Sequence, residues 1–109
     1  MLGSNISTSG GTMTISLSDN MLNYRGIKLY FYWVIATNNF RISSMEIEHD
    51  FIEELLTLTS YSYWLSMNCF FSTSTNIAAN FKVTANNQIQ MMEKSVTATH
   101  VMLKVYGVK

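Results

Sequence analysis

The chain has no proline and one cysteine among its 109 residues. A single thiol excludes an internal disulfide framework. Cys69 lies in the apolar and aromatic run from Met67 to Phe71 and reads as a small hydrophobe with an inert thiol. Without proline, one of the usual guards of exposed sheet edges is missing. Charge is scarce as well: charged residues make up 13% of the chain, seven basic against seven acidic, with a pI near 6.7. No net field draws phosphate backbones or anionic lipid, so nucleic acid is not an expected partner. No apolar window approaches the length of a membrane span, and none is expected to insert. The opening Met1-Leu2-Gly3-Ser4-Asn5 carries neither the basic start nor the apolar run of a secretion signal.

The chemistry-bearing patterns are equally thin. The only histidines are His49 and His100, and no Gly-x-Ser-x-Gly elbow occurs, so nothing positions a nucleophile beside a base. Gly10-Gly11 precedes a strand pattern instead of a helix and lacks the lysine of a phosphate-cradling loop. These absences lead to the expectation that the protein is not an enzyme and uses no cofactor.

What is present is alternation with a period of two. Apolar residues supply 48% of the chain, and serine, threonine and asparagine about a third of it, so solubility rests on neutral polar groups. In Thr12 to Ser18, Met13, Ile15 and Leu17 alternate with small hydroxyl residues, the pattern of a half-buried strand. From Ile27 to Ile35 the odd positions Ile27, Leu29, Phe31, Trp33 and Ile35 face one way, and Lys28, Tyr30, Tyr32 and Val34 the other. Thr37-Asn38-Asn39 makes a turn, since asparagine tolerates positive φ and bonds its own backbone, and a hairpin partner begins at Phe40. In that partner Phe40 and Ile42 share one parity and Met45 and Ile47 the other, so a β-bulge near Ser43-Ser44 is expected to bring both sets to the core.

Glu46 to Leu58 is ambiguous. Ile47, Phe51, Leu55 and Leu58, with Ile52 and Leu56 beside them, fit a helical stripe behind a cap at Ser44. The β pattern on both sides favours strands here, with one short helix around residues 45–57 as the alternative. Alternation then returns over Tyr63 to Thr75, a further hairpin turns at Asn86-Asn87, and the alternating strand Thr99 to Lys109 closes the chain, expected to be tucked into the domain or a partner chain. The expected fold is all-β: an antiparallel β-sandwich, jelly-roll-like, over residues 12–109, with residues 1–11 as a polar Gly/Ser/Thr lead or linker. Edges with little to guard them suggest association with copies of the same chain.

The layout resembles a known family. A polar lead, the motif Leu17-Ser18-Asp19-Asn20 with Asn23-Tyr24, the long aromatic strand Ile27 to Ile35, the hairpin at Asn38-Asn39 and the close Val105-Tyr106-Gly107-Val108-Lys109 together resemble C-terminal, receptor-binding tip domains of bacteriophage and prophage tail fibres. The acidic, leucine-rich segment Glu46 to Leu58 departs from that layout. The resemblance implies a β-sandwich head, a homotrimer at the end of a fibre, that adheres non-covalently to a host cell-surface saccharide or protein. It also implies a virion component made in the bacterial cytoplasm without a signal peptide.

The candidate contacts follow from side-chain type. Tyr30, Tyr32 and Trp64 are flat rings on faces opposite the apolar parity. Rings stack on the apolar faces of sugars while neutral polar groups bond the hydroxyls. Asn38, Asn39, Asn86 and Asn87 are turn residues available for the same purpose. The same rings would equally fill the second face of a sandwich or a contact between chains. Two rival functions use them differently: a structural module that trimerises or caps a fibre, and a free-standing carbohydrate-binding module. Five of the seven carboxylates fall within Glu46 to Glu54, where His49 and Glu53 would share a helical face and could ligate a metal; a solvated acidic edge is the plainer reading, and no metal is expected. The eight methionines receive no role.

Overall fold

The computed structural model describes residues 1–7, 11–36, 39–61, 63–72, 75–93 and 100–109. Eight strands and one helix follow the chain as β1 (Gly3–Ser7), β2 (Gly11–Ser16), β3 (Gly26–Ala36), β4 (Asn39–Glu48), α1 (His49–Thr57), β5 (Leu65–Ser72), β6 (Thr75–Ala85), β7 (Gln88–Glu93) and β8 (His100–Val108). A 3₁₀ turn at Met21–Asn23 joins β2 to β3. The strands form two antiparallel four-stranded sheets, sheet A in the order β1-β8-β3-β4 and sheet B in the order β2-β7-β6-β5. The all-β expectation holds. The nesting of β1 with β8 and of β2 with β7 is the jelly-roll-like part of the connectivity, while β3–β4 and β5–β6–β7 are hairpins within one sheet.

One parity of each central strand builds the core. Ile27, Leu29, Phe31 and Trp33 of β3 are fully buried with Leu103 and Val105 of β8, and sheet B contributes Ile15, Phe81, Val83, Ile89 and Met91 to the same cluster. The alternation read in β3 is therefore the packing pattern itself. Phe31 and Trp33 stand on adjacent same-face positions with ring centroids 4.4 Å apart.

Three expectations need correction. First, Glu46 to Leu58 is not all strand: β4 ends at Glu48 and α1 takes over. The i, i+3 pair Ile52 and Leu55 turns inward against Met21, while Phe51 stays exposed, so the segment caps one end of the two sheets instead of adding a strand. Ser44 is not its cap; it lies within β4, and Glu48 is the N-cap residue without a side-chain bond. Second, no bulge occurs at Ser43-Ser44. Register runs unbroken from Gly26↔Glu48 to Val34↔Phe40, and the irregularity sits between Val34 and Ala36. Ile47 is buried, and Ile42, of the opposite parity, is left on the outer surface. Third, the polar lead is not a separate linker. Leu2 is buried, its N–H bonds Val105 O at 2.7 Å and its carbonyl accepts Ser18 N at 2.9 Å, and the following residues form β1 on β8. β1 is an edge strand of sheet A.

The two short motifs at Leu17 to Tyr24 and Val105 to Lys109 meet in space. Asp19 Oδ1 accepts the Asn20 backbone N–H at 2.7 Å and the Asn23 side-chain amide at 2.9 Å, and Asp19 Oδ2 accepts the Tyr24 hydroxyl at 3.0 Å. Tyr24, so held, lays its ring where a β-carbon on Gly107 would otherwise stand. Arg25 N bonds Val108 O at 2.8 Å just beyond. The bonds from the Asn20 N–H, then Tyr24 and Asn23, hold the Asp19 carboxyl below its ordinary value, and donation to Asp19 raises the Tyr24 phenol.

Two outcomes follow. Gly107→Ala forces the added methyl into the Tyr24 ring and is expected to cost about 1–3 kcal/mol in urea unfolding. A depressed folded-state carboxyl contributes stability that is present above the unfolded value near about pH 4 and lost as the pH falls through the folded one. Asp19→Asn should therefore flatten the urea midpoint between about pH 4 and pH 2, and an unchanged acid slope would exclude this role for Asp19.

Candidate functional site

The outer face of sheet A carries the most organised set of exposed and half-buried side chains. It is built by the parity of β3 that the core does not use, matched across both neighbours. Ile42, Tyr32 and Met102 form one row; Ser44, Tyr30 and Lys104 the next; Glu46, Lys28 and Tyr106 the third; and Glu48, Gly26 and Val108 the last. Tyr30 and Tyr106 pack edge to face, with centroids 5.6 Å apart and planes at 89°. Lys28 Nζ lies 5.4 Å from the Tyr30 ring centroid, and Lys104 Nζ 5.3 Å from that of Tyr32. Each such contact is worth about 0.5–1 kcal/mol at a surface and holds the lysine stem flat along the ring. Ile42 is 54% exposed at one end of the grid and Tyr106 36% exposed toward the other.

At the Glu48 end the face sinks into a hollow of about 330 Å³ lined by Arg25, Gly26, Glu46, Glu48, His49 and Asp50. Gly26 forms its floor. A β-carbon there would come within 2.7 Å of Ile47 O, so the close β3–β4 approach requires glycine. The first N–H of α1, from His49, is already bonded to Arg25 O at 2.9 Å.

Tyr30 and Tyr32 thus share the face read for them, and Trp64 does not join them. Trp64 precedes β5 in sheet B and is 39% exposed there, because β3 and β5 belong to different sheets. Its neighbour Tyr63 explains its placement. β6 extends past the start of β5, and the Tyr63 hydroxyl takes the place of the missing strand, donating to Val83 O at 3.2 Å and accepting Val83 N at 3.3 Å. That inward anchor turns Trp64 outward, and burial raises the Tyr63 phenol.

The asparagines are dispersed. Asn38 lies outside the described residues, as does the side chain of Asn39, the first residue of β4. Asn86 and Asn87 form the exposed β6–β7 turn at the opposite end of the sheets, where their carbonyls accept Met21 N at 2.8 Å and Leu17 N at 2.7 Å. Their backbone role is to dock the β2–β3 connection.

His49 and Glu53 do come together. His49 Nδ1 is 3.1 Å from Glu53 Oε1 and 3.4 Å from Asp50 Oδ1, and ligand atoms of all three lie within 4.8 Å of one another. The carboxylates are exposed at 97% and 56%, and the three groups already contact one another on the surface of α1. Sequence reasoning missed Tyr106 and Lys104 as members of the outer face. Their parity in β8 was legible, but their neighbours depend on β8 pairing with β3, a contact between segments about seventy residues apart. No family model matches the chain, and neither a curated protein nor a solved structure matches it. Among the described residues no helix is long and apolar enough to cross a membrane.

The two tryptophans report this geometry separately, since Trp33 is fully buried and Trp64 is not. Trp64→Phe is expected to remove the acrylamide-quenchable, red-shifted part of the emission and leave a blue-shifted, protected band. Tyr63→Phe should cost about 1 kcal/mol in unfolding by orphaning the Val83 backbone pair, and should increase quenching of Trp64.

Proposed function

We propose that this domain is a non-covalent adhesion module, the receptor-binding head of a phage or phage-derived tail fibre, and that it engages a host surface saccharide through the outer face of sheet A. The observation that carries this reading is the tyrosine and lysine grid on that face. Tyr30, Tyr32 and Tyr106 present rings on a rigid central pair of strands, and Lys28 and Lys104 lie against those rings without an ion pair among the described residues. Ring faces stack on the C–H faces of pyranoses, and a sheet holds them at fixed spacing with little ordering entropy to lose on binding. No nucleophile, base or redox group takes part. The resemblance in the Leu17 to Tyr24 and Val105 to Lys109 motifs supplies the fibre-tip setting, and there a homotrimer multiplies weak single sites through effective concentration.

A second reading has its own observation. Ile42, 54% exposed at the end of the same face, is the kind of side chain that chain-to-chain contacts cover, and a trimerising or capping module would bury the tyrosines between copies.

One pair of measurements separates them. On the adhesion reading, Tyr30→Ala/Tyr32→Ala reduces binding to the best ligand on a glycan array by roughly thirtyfold, about 1 kcal/mol for each ring. The light-scattering mass, expected at three times 12.4 kDa, stays unchanged. A fall to monomer mass in the same variant transfers the face to assembly and overturns the adhesion reading.

A further inference from the structure

The charges on the outer face of sheet A are separated by sign in a way that specifies a ligand. Glu46 and Lys28 are direct cross-strand neighbours on that face, the position in which opposite charges ordinarily pair. They do not pair: Lys28 lies over the Tyr30 ring, and neither group makes an ion pair among the described residues. Lys104, one row further, is turned to Tyr32 in the same manner. The carboxylates of Glu46, Glu48 and Asp50 instead line the hollow floored by Gly26, together with Arg25 and with His49, whose Nδ1 lies 3.4 Å from Asp50 Oδ1. The face therefore offers an acidic hollow at one end and unpaired ammonium groups beside tyrosine rings next to it. Rows on one face of a strand are about 6.7 Å apart, so the hollow lies one row from Lys28 and two from Lys104, a separation close to the span of one or two sugar rings.

We infer that the outer face of sheet A selects a zwitterionic saccharide, one that carries an ammonium group for the Glu46/Glu48 hollow and a phosphate or carboxylate for Lys28 and Lys104, with its ring on Tyr30. This inference rests on the adhesion reading and names the ligand class of that site. A neutral sugar would use the rings but leave both sets of charges unused. A purely anionic sugar would bring its charge against three carboxylates, and a purely cationic one against two lysines, so the two ends exclude each other's ligands.

The test is a shift-perturbation titration of the ¹⁵N-labelled chain with three small probes: glucosamine 6-phosphate, which carries both charges, N-acetylglucosamine 6-phosphate, which keeps only the anion, and glucosamine, which keeps only the cation. The expected result is that removing either charge weakens binding by at least about tenfold, with shifts mapping to β3, β4 and β8. Glu46→Gln/Glu48→Gln should weaken the zwitterion toward the level of its N-acetyl analogue without weakening that analogue. Lys28→Gln/Lys104→Gln should weaken the zwitterion and the N-acetyl analogue without weakening glucosamine. None of the four substituted positions is buried, and the thermal midpoint of each variant confirms folding. Equal binding of all three probes, dependent on Tyr30, overturns the charge selection while the adhesion reading stands. Absence of binding by these probes and by the neutral sugars of a glycan array overturns both.

Discussion

The structure depends on its last strand finding a place between two others. β8 pairs along its whole length with β3 on one side and gives β1 its neighbour on the other. Its Leu103 and Val105 stand opposite Phe31 and Leu29 at the centre of the core. Remove it and β1 has no sheet, Tyr24 has no Gly107 to rest on, and the lysine and tyrosine rows of the outer face lose a column. These pairings join residues near the beginning, the first third and the end of the chain, so the loop-closure entropy must be met before most of the core can form.

That dependence also decides what could be read from the residues alone. Alternation is a local property, and it located β3, β6 and β7 well because each of them has one parity buried under the other sheet. The turn at Asn86-Asn87 was legible from turn chemistry. Register is not local. The mixed parity of Phe40, Ile42, Met45 and Ile47 suggested a bulge because both sets are apolar, whereas the sheet simply leaves Ile42 outside. In α1, the helical stripe was visible, but strands on both sides outweighed it. The structure resolves the conflict by letting a nine-residue helix bury Ile52 and Leu55 across the end of the sheets. The candidate site was half legible for the same reason. Tyr30, Tyr32 and Lys28 share a strand, so their common face follows from the backbone period. Tyr106 and Lys104 belong to that face only through β8, and Trp64 is absent from it because β5 was assigned by parity without knowledge of which sheet would hold it.

The outer face of sheet A illustrates how a sheet with few charges can still carry a defined pattern. The domain has no net charge, so what distinguishes one region from another is arrangement. The lysines are laid along rings of the β3–β8 pair, and the carboxylates line a hollow at the β3–β4 end of the face. Such a surface differs from a general basic or acidic patch, whose attraction is long-ranged and readily screened by salt.

The bond between Leu2 and Val105 sets the first residues of the chain beside the last few, at the end of the sheets that also holds the Gly26 hollow. In engineering terms the fold is a cassette: it can be spliced into a surface loop of another protein by two short connectors, or its ends can be joined and the chain reopened at the exposed Asn86-Asn87 turn, with every strand keeping its neighbours. Such a circular permutant would make β8 and β1 neighbours in the sequence, turning the most distant pairing of the fold into a local one.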